Sequence, residues 1–165
     1  MRLFRVLPVV VVMVLAQCMA ALPPMPQGGT AYIDSAAHRA PLNAVRAQHG
    51  LAPLAIDARL GRIAAAHAQD MLDNGFFGHT GSDGGTLIGR ARAEGYPFCY
   101  VAENLALGHD RHDQTLQLWL DSPLHRRNLL SDQPTRFGLA RGPGNLWVLV
   151  LGRPGCARGG AATFI

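Results

Sequence analysis

The chain has no lysine. All 15 of its basic residues are arginines, a bias that accompanies abundant alanine and glycine and reads as genome composition. Apart from Arg126-Arg127 the arginines form no cluster, so a formal charge of +4 gives no argument for nucleic acid. Also absent are a paired Cys-x-x-Cys, a His-Glu-x-x-His helix, a phosphate-binding glycine loop and a dinucleotide fingerprint. The zinc-protease, redox and nucleotide-dependent classes therefore lack local support, and no nucleotide or organic cofactor is expected. No Gly-x-Ser-x-Gly elbow presents a serine nucleophile.

Long apolar runs are equally scarce. The single candidate, Val6 to Ala16, follows the basic residues Arg2 and Arg5 and precedes a small-residue site at Cys18-Met19-Ala20. That order is the signature of an export signal over residues 1–20. The run is short for a membrane span, and no later segment approaches ~18 apolar residues, so the mature chain is expected to lack a transmembrane segment. The expected location is secreted or periplasmic. Leu15-Ala16-Gln17-Cys18 looks like a lipid-attachment box, although Gln17 stands where a small residue is usual, so a lipoprotein is the weaker alternative. Loss of Arg2 and Arg5 with the signal lowers the charge to about +2.

Only three cysteines are present. Cleavage after Cys18 leaves Cys99 and Cys156, and an even pair in an exported chain points to a disulfide. One precedes a predicted strand and the other follows the last, and closing that loop is worth about 4 kcal/mol. Two buried free thiols are the alternative.

The remaining chain divides into a Pro/Gly-rich linker over 21–38, one domain over 39–156 and a short tail over 157–165. A first helix is expected from Asp34 or Pro41 to His49, and a second from Asp57, as N-cap, to Gly75. The second carries Leu60, Ile63, Ala64, His67 and Met71 on one stripe. Thr86 can cap a third, Asp113–Asp121 forms a fourth, and Pro123 starts a short turn to Leu130, with Ser122 as its N-cap. Strands are expected over Cys99–Ala106, Arg136–Arg141 and Leu146–Gly152, the last two joined by the turn Gly142-Pro143-Gly144-Asn145. The last strand is apolar throughout, so it should be central and covered on both faces.

Three segments carry titratable groups among apolar residues: Phe76-Phe77-Gly78-His79-Thr80, Val101-Ala102-Glu103-Asn104-Leu105, and Trp119 to Asn128 with His125. Glu103 shares a strand face with Val101 and Leu105. A carboxylate there is costly to bury unless cations or hydrogen-bond donors meet it. His79 and His125 are the candidates. Brought together, His79, Glu103 and His125 could bind a divalent cation such as Zn²⁺ or move a proton near neutral pH. Alternatively, Glu103 accepts backbone N–H groups and pins a loop. His67 reads as a hydrogen-bonded core residue. His38, His49, His109 and His112 receive no assignment, and Asp110, His112 and Asp113 read as a solvated helix start.

These segments, in this order, resemble the CAP superfamily (cysteine-rich secretory, antigen 5 and pathogenesis-related 1 proteins) in its bacterial form. The similarity runs from Pro41 to Gly152. It rests on Leu42-Asn43-x-x-Arg46, Gly50-Leu51-Ala52-Pro53-Leu54, Phe77-Gly78-His79-Thr80, Ala102-Glu103-Asn104-Leu105-Ala106, Trp119-x-x-Ser122-Pro123-x-His125-Arg126-x-Asn128 and Phe137-Gly138-Leu139-Ala140. The resemblance implies an α+β fold, a three-layer α-β-α sandwich around a small, mainly antiparallel sheet. It also implies a cavity lined by two histidines and two acids. His79, His125 and Glu103 match three of the four. Where the second acid would fall the chain has Asp121 and Ser122, which with Asn104 complete the expected cavity set. A binding module for a metal and a lipid, sterol or other small apolar ligand is the first expectation. An interaction domain with a cell-envelope partner and a metal-dependent hydrolase are the alternatives, and the missing second acid weighs against catalysis.

Overall fold

A strand apolar on both faces must be covered on both, and the last strand organises the fold for that reason. The computed structural model describes residues 24–155. The expected signal, Cys18, Cys156 and the 157–165 tail lie outside the described residues. In chain order the elements are β1 (Tyr32–Ile33), α1 (Ser35–Gln48), β2 (Ala55–Ile56), α2 (Ala58–Asn74), α3 (Leu87–Ala93), β3 (Phe98–Ala106), α4 (His112–Asp121), α5 (Pro123–Leu129), β4 (Arg136–Gly142) and β5 (Leu146–Pro154). The sheet order is β1-β4-β5-β3, with β2 also on β4. Every pairing is antiparallel except the short β2–β4 contact.

Strand alternation sorts β5 into two cores. Leu146, Val148 and Val150 meet α2 and α3, whereas Trp147, Leu149 and Leu151 meet α1, α4 and α5. The result is a three-layer α-β-α sandwich. On α2 the stripe Leu60, Ile63, Ala64, His67 and Met71 is buried as its spacing requires, and each large apolar side chain on it contributes about 1.5–3 kcal/mol. At Gly138 of β4 a Cβ would stand 2.0 Å from the Gly61 backbone nitrogen, so α2 sits on the sheet as closely as two backbones allow.

Local signals set the element ends. Asp57 accepts from the Arg59 N–H, Thr86 accepts from the Gly89 N–H, and Gly75 ends α2 at φ 65°. Gly142–Leu146 turns through a single 3₁₀ step in which Gly144 and Asn145 both have positive φ (69° and 58°).

One expectation changes. The linker expected through residue 38 ends sooner, because Tyr32 and Ile33 pair with Arg141 and Ala140 and α1 starts at Ser35. Of the two starts expected for α1 the structure takes the earlier, with Asp34 at the N-cap position and the helix running on through Pro41. Its missing N–H and ring clash disfavour a helix interior, but His38, Leu42 and Arg46 anchor the helix on either side. The buried Arg46 guanidinium donates to the carbonyls of Ala52, Leu129 and Ser131 at 2.8–2.9 Å.

Candidate functional site

Glu103 points from β3 toward α2 and α3, between Val101 and Leu105, and its side chain is only 2% exposed. Both its oxygens are engaged. Oε1 accepts from His79 Nδ1 at 2.9 Å, and Oε2 accepts from the Arg90 guanidinium at 2.8 Å. Arg90 also donates to the carbonyls of His79 and Gly85, at 3.1 and 3.3 Å. The buried carboxylate thus ties the glycine-rich loop to α3 and to the sheet edge. Charge-assisted bonds of this kind are about twice as strong as neutral ones.

His67 is buried behind this group. Its Nε2–H donates to the Gly78 carbonyl at 2.9 Å and lies 3.8 Å from Glu103 Oε1. Burial lowers its pKa, against the opposing pull of Glu103. His67 is thus the hydrogen-bonded core histidine expected, and it also fixes the backbone that carries His79.

Across from His79, α5 brings His125 to the same cavity. Burial, then the charge of His79, lowers the His125 pKa, which favours the neutral ring at pH 7. Its Nδ1 is buried without a hydrogen-bond partner among the described residues. The cavity, about 410 Å³, is lined by His79, Glu103, His125 and Ser122 together with Thr80, Thr86, Leu87, Leu124 and Asn128.

Two residues of the expected set lie elsewhere. Asn104 alternates to the opposite face of β3, where it is fully buried. Its Nδ2 donates to the His125 carbonyl, and its Oδ1 accepts from Asn128 Nδ2. Asn128 donates in turn to the Glu103 carbonyl at 3.3 Å. Asn104 therefore positions α5 instead of lining the cavity. Asp121 is exposed and accepts from Gln117 one turn earlier on α4, so it is no second acid. Ser122 occupies the N-cap position of α5 but makes no side-chain capping bond, against expectation.

Sequence reasoning missed Arg90. The signal was present: a buried carboxylate demands a cation, and Arg90 follows the Thr86 cap by one helical turn. Among the described residues no three His, Cys, Asp or Glu side chains are grouped to hold a metal. The donors that fit a cation are the two imidazoles. In its neutral form His79, donating from Nδ1 to Glu103, keeps its Nε2 lone pair, the arrangement in which a carboxylate orients a metal-binding histidine.

Comparison with known proteins agrees with this architecture. Residues 40–150 match the model of the CAP, or cysteine-rich secretory protein, family. YkwD of Bacillus subtilis (strain 168) is 32% identical over 106 residues, which are 64% of this chain and 41% of YkwD. The B. subtilis membrane protein YlbC is 32% identical over 97 residues, 59% of this chain and 28% of its own. The chain thus spans less than half the length of either relative. Among solved structures, an extracellular protein containing an SCP domain from Bacillus anthracis superposes with a TM-score of 0.67 at 32% identity, covering 71% of this chain and 39% of that one. An outer surface protein of Borrelia burgdorferi shares the fold at a TM-score of 0.69 and 23% identity, covering 78% of this chain and all of its own.

Asn104→Ala should lower stability in urea by about 1–3 kcal/mol, because it leaves buried partners on α5 unpaired. Asp121→Asn should stay within about 0.5 kcal/mol of the parent. Equal effects of the two changes would contradict a buried, α5-positioning Asn104 and an exposed Asp121.

Proposed function

The chain belongs to the CAP family of cysteine-rich secretory proteins, and on that footing we propose that it acts outside the cytoplasm as a small-molecule binding module. The ligand enters the cavity between the His79 loop, α3 and α5. One observation carries this reading: two imidazoles open on a cavity of about 410 Å³ that also presents Leu87 and Leu124. Such a mixture suits a ligand with a polar head and an apolar body, as in a lipid or another small apolar molecule. The export-type N-terminus and the extracellular SCP-domain relative support the location, and no helix among the described residues is long and apolar enough to cross a membrane.

A divalent cation, Zn²⁺ in the first instance, is assigned to His79 and His125. Glu103 stands behind His79 as its orienting partner, not as a third ligand, since Arg90 neutralises it. When bound, the cation would supply a Lewis-acidic anchor for the polar head of the ligand. A scaffold role is the second reading, favoured by the full engagement of both Glu103 oxygens. Hydrolysis has weaker support, because no second acid lines the cavity.

Titration calorimetry with Zn²⁺ at pH 7.5 separates these readings. The binding reading expects affinity lost in both His79→Ala and His125→Ala, and reduced about 10–100-fold in Glu103→Gln. Absence of Zn²⁺ binding by the parent protein, with all three variants destabilised, would leave the scaffold reading in its place.

A disulfide between Cys99 and Cys156 completes the proposal. Phe98 pairs with Pro154 in the β3–β5 ladder, which sets Cys99 beside the strand end that leads to Cys156. Intact mass of the secreted protein, with and without reduction before alkylation, should show two cysteines modified only after reduction. Two modified without reduction would rule the bond out.

A further inference from the structure

His38 and His112 have no part in the cavity, yet they form the closest histidine contact among the described residues. His38, on α1, is fully buried. Its ring stands edge-on to Trp119 of α4 and tilted against Trp147 of β5, with centroids 6.1 Å away in both cases. Its Nδ1 lies 2.7 Å from Nδ1 of His112, the first residue of α4.

Two ring nitrogens at that distance share one hydrogen: one ring donates and the other offers a lone pair. The surroundings select which. His112 Nε2 stands 3.4 Å from Asp34 Oδ2, a contact that calls for N–H on that nitrogen. The neutral His112 ring then carries its lone pair on Nδ1, and His38 Nδ1–H donates to it. His38 Nε2 is left as a bare lone pair, buried with no partner among the described residues.

Charged groups face the pair from β4, from α4 and from the residue before α1. Asp34 precedes α1. Arg141 of β4 stacks over the Trp147 ring at 3.9 Å and lies 3.9 Å from Asp34. Asp113 of α4 is held by Arg111 at 2.7 Å. From β5 the Trp147 ring packs against both histidines.

An added proton cannot be accommodated without loss. On His112 Nδ1 it sets two N–H groups face to face, unless His38 moves its own hydrogen to Nε2. That move buries a donor with nothing to receive it, at a cost comparable to a lost hydrogen bond. A second proton places two cations in contact beside Arg141.

We propose that the His38–His112 pair is an acid-released clasp: neutral, it holds α1 against α4 and Trp147, and protonated, it opens and frees α1 together with β1. Burial foremost, then the partner ring and Arg141, holds His38 at about 3, and burial lowers His112 as well. The opened state takes up protons once the pH falls below the ordinary histidine value of ~6.5. The clasp therefore contributes fully above that value. Its contribution declines as the pH drops from there toward the folded-state value.

Hydrogen exchange of the backbone amides from pH 7.5 to 4.5, corrected for the intrinsic rate, tests the clasp. Protection over residues 35–48 should fall about tenfold per pH unit for each histidine released, more steeply than over α2, whose single histidine, His67, is also held low by burial. In His112→Asn, whose carbonyl accepts from His38 but does not titrate, the fall should be shallower. Parallel loss in α1 and α2, or an unchanged slope in the variant, would overturn the proposal. Should His112→Asn fail to fold, imidazole ¹⁵N spectra of the parent decide. A hydrogen gained on His38 Nε2 together with the loss of α1 protection supports the clasp. Ordinary titration of both rings with α1 protection intact overturns it.

Discussion

The buried carboxylate of Glu103 is the constraint around which the site is assembled. A charge on an otherwise apolar strand face must be matched by donors from whatever packs against it. Arg90 comes from α3, His79 from the glycine-rich loop, and His67, buried in α2, secures the loop backbone from behind. On the other face of the same strand, Asn104 and Asn128 hold α5 through its backbone, and α5 carries His125. One strand edge thus fixes both imidazoles, from opposite layers of the sandwich. The cost of burying Glu103 is offset only while these partners stay in place. The same interaction therefore holds the fold at this edge and orients the groups that would meet a ligand.

The rest of the molecule supplies a stiff platform for that edge. β5 gives each helical layer its own core, and the backbone contact at Gly138 sets how closely α2 can lie. Arg46 closes the α1 side by donating to the carbonyls of Leu129, at the end of α5, and of Ser131 just past it. The His38–His112 pair lies between two tryptophans on that side. Its attachment of α1 depends on protonation.

Much of this was legible in the sequence because it depends on local chemistry. The Asp57 and Thr86 caps, the Gly75 stop, the Gly142–Asn145 turn and the doubly apolar β5 are each decided by a few neighbouring residues, and the structure has them where the pattern puts them. The fold class is legible through the family resemblance, and His79 as a candidate partner of Glu103 through the cost of burying a carboxylate. What was not legible depends on distant partners. β1 and β2 are two residues each, too short for any periodicity, and exist only through β4. Pro41 hides the start of α1 because tertiary anchoring overrides its local penalty. Arg90 lies thirteen positions from Glu103, and His38 lies seventy-four from His112, so neither partnership leaves a local trace. Asn104 and Asp121 were placed in the cavity by analogy of position, and strand alternation and an intrahelical bond send them elsewhere.

The central claim is that Arg90 and Glu103 act as one buried unit, and a double-mutant cycle tests it directly. Arg90→Met, Glu103→Gln and the double variant would be unfolded in urea at pH 7.5. Removal of Arg90 alone strands the carboxylate and should cost about 3–5 kcal/mol. The double variant should recover much of that loss, giving a coupling of at least ~2 kcal/mol. Losses that add to within about 0.5 kcal/mol would mean that the two residues stabilise the fold independently. Glu103 would then not be the constraint on which the site depends.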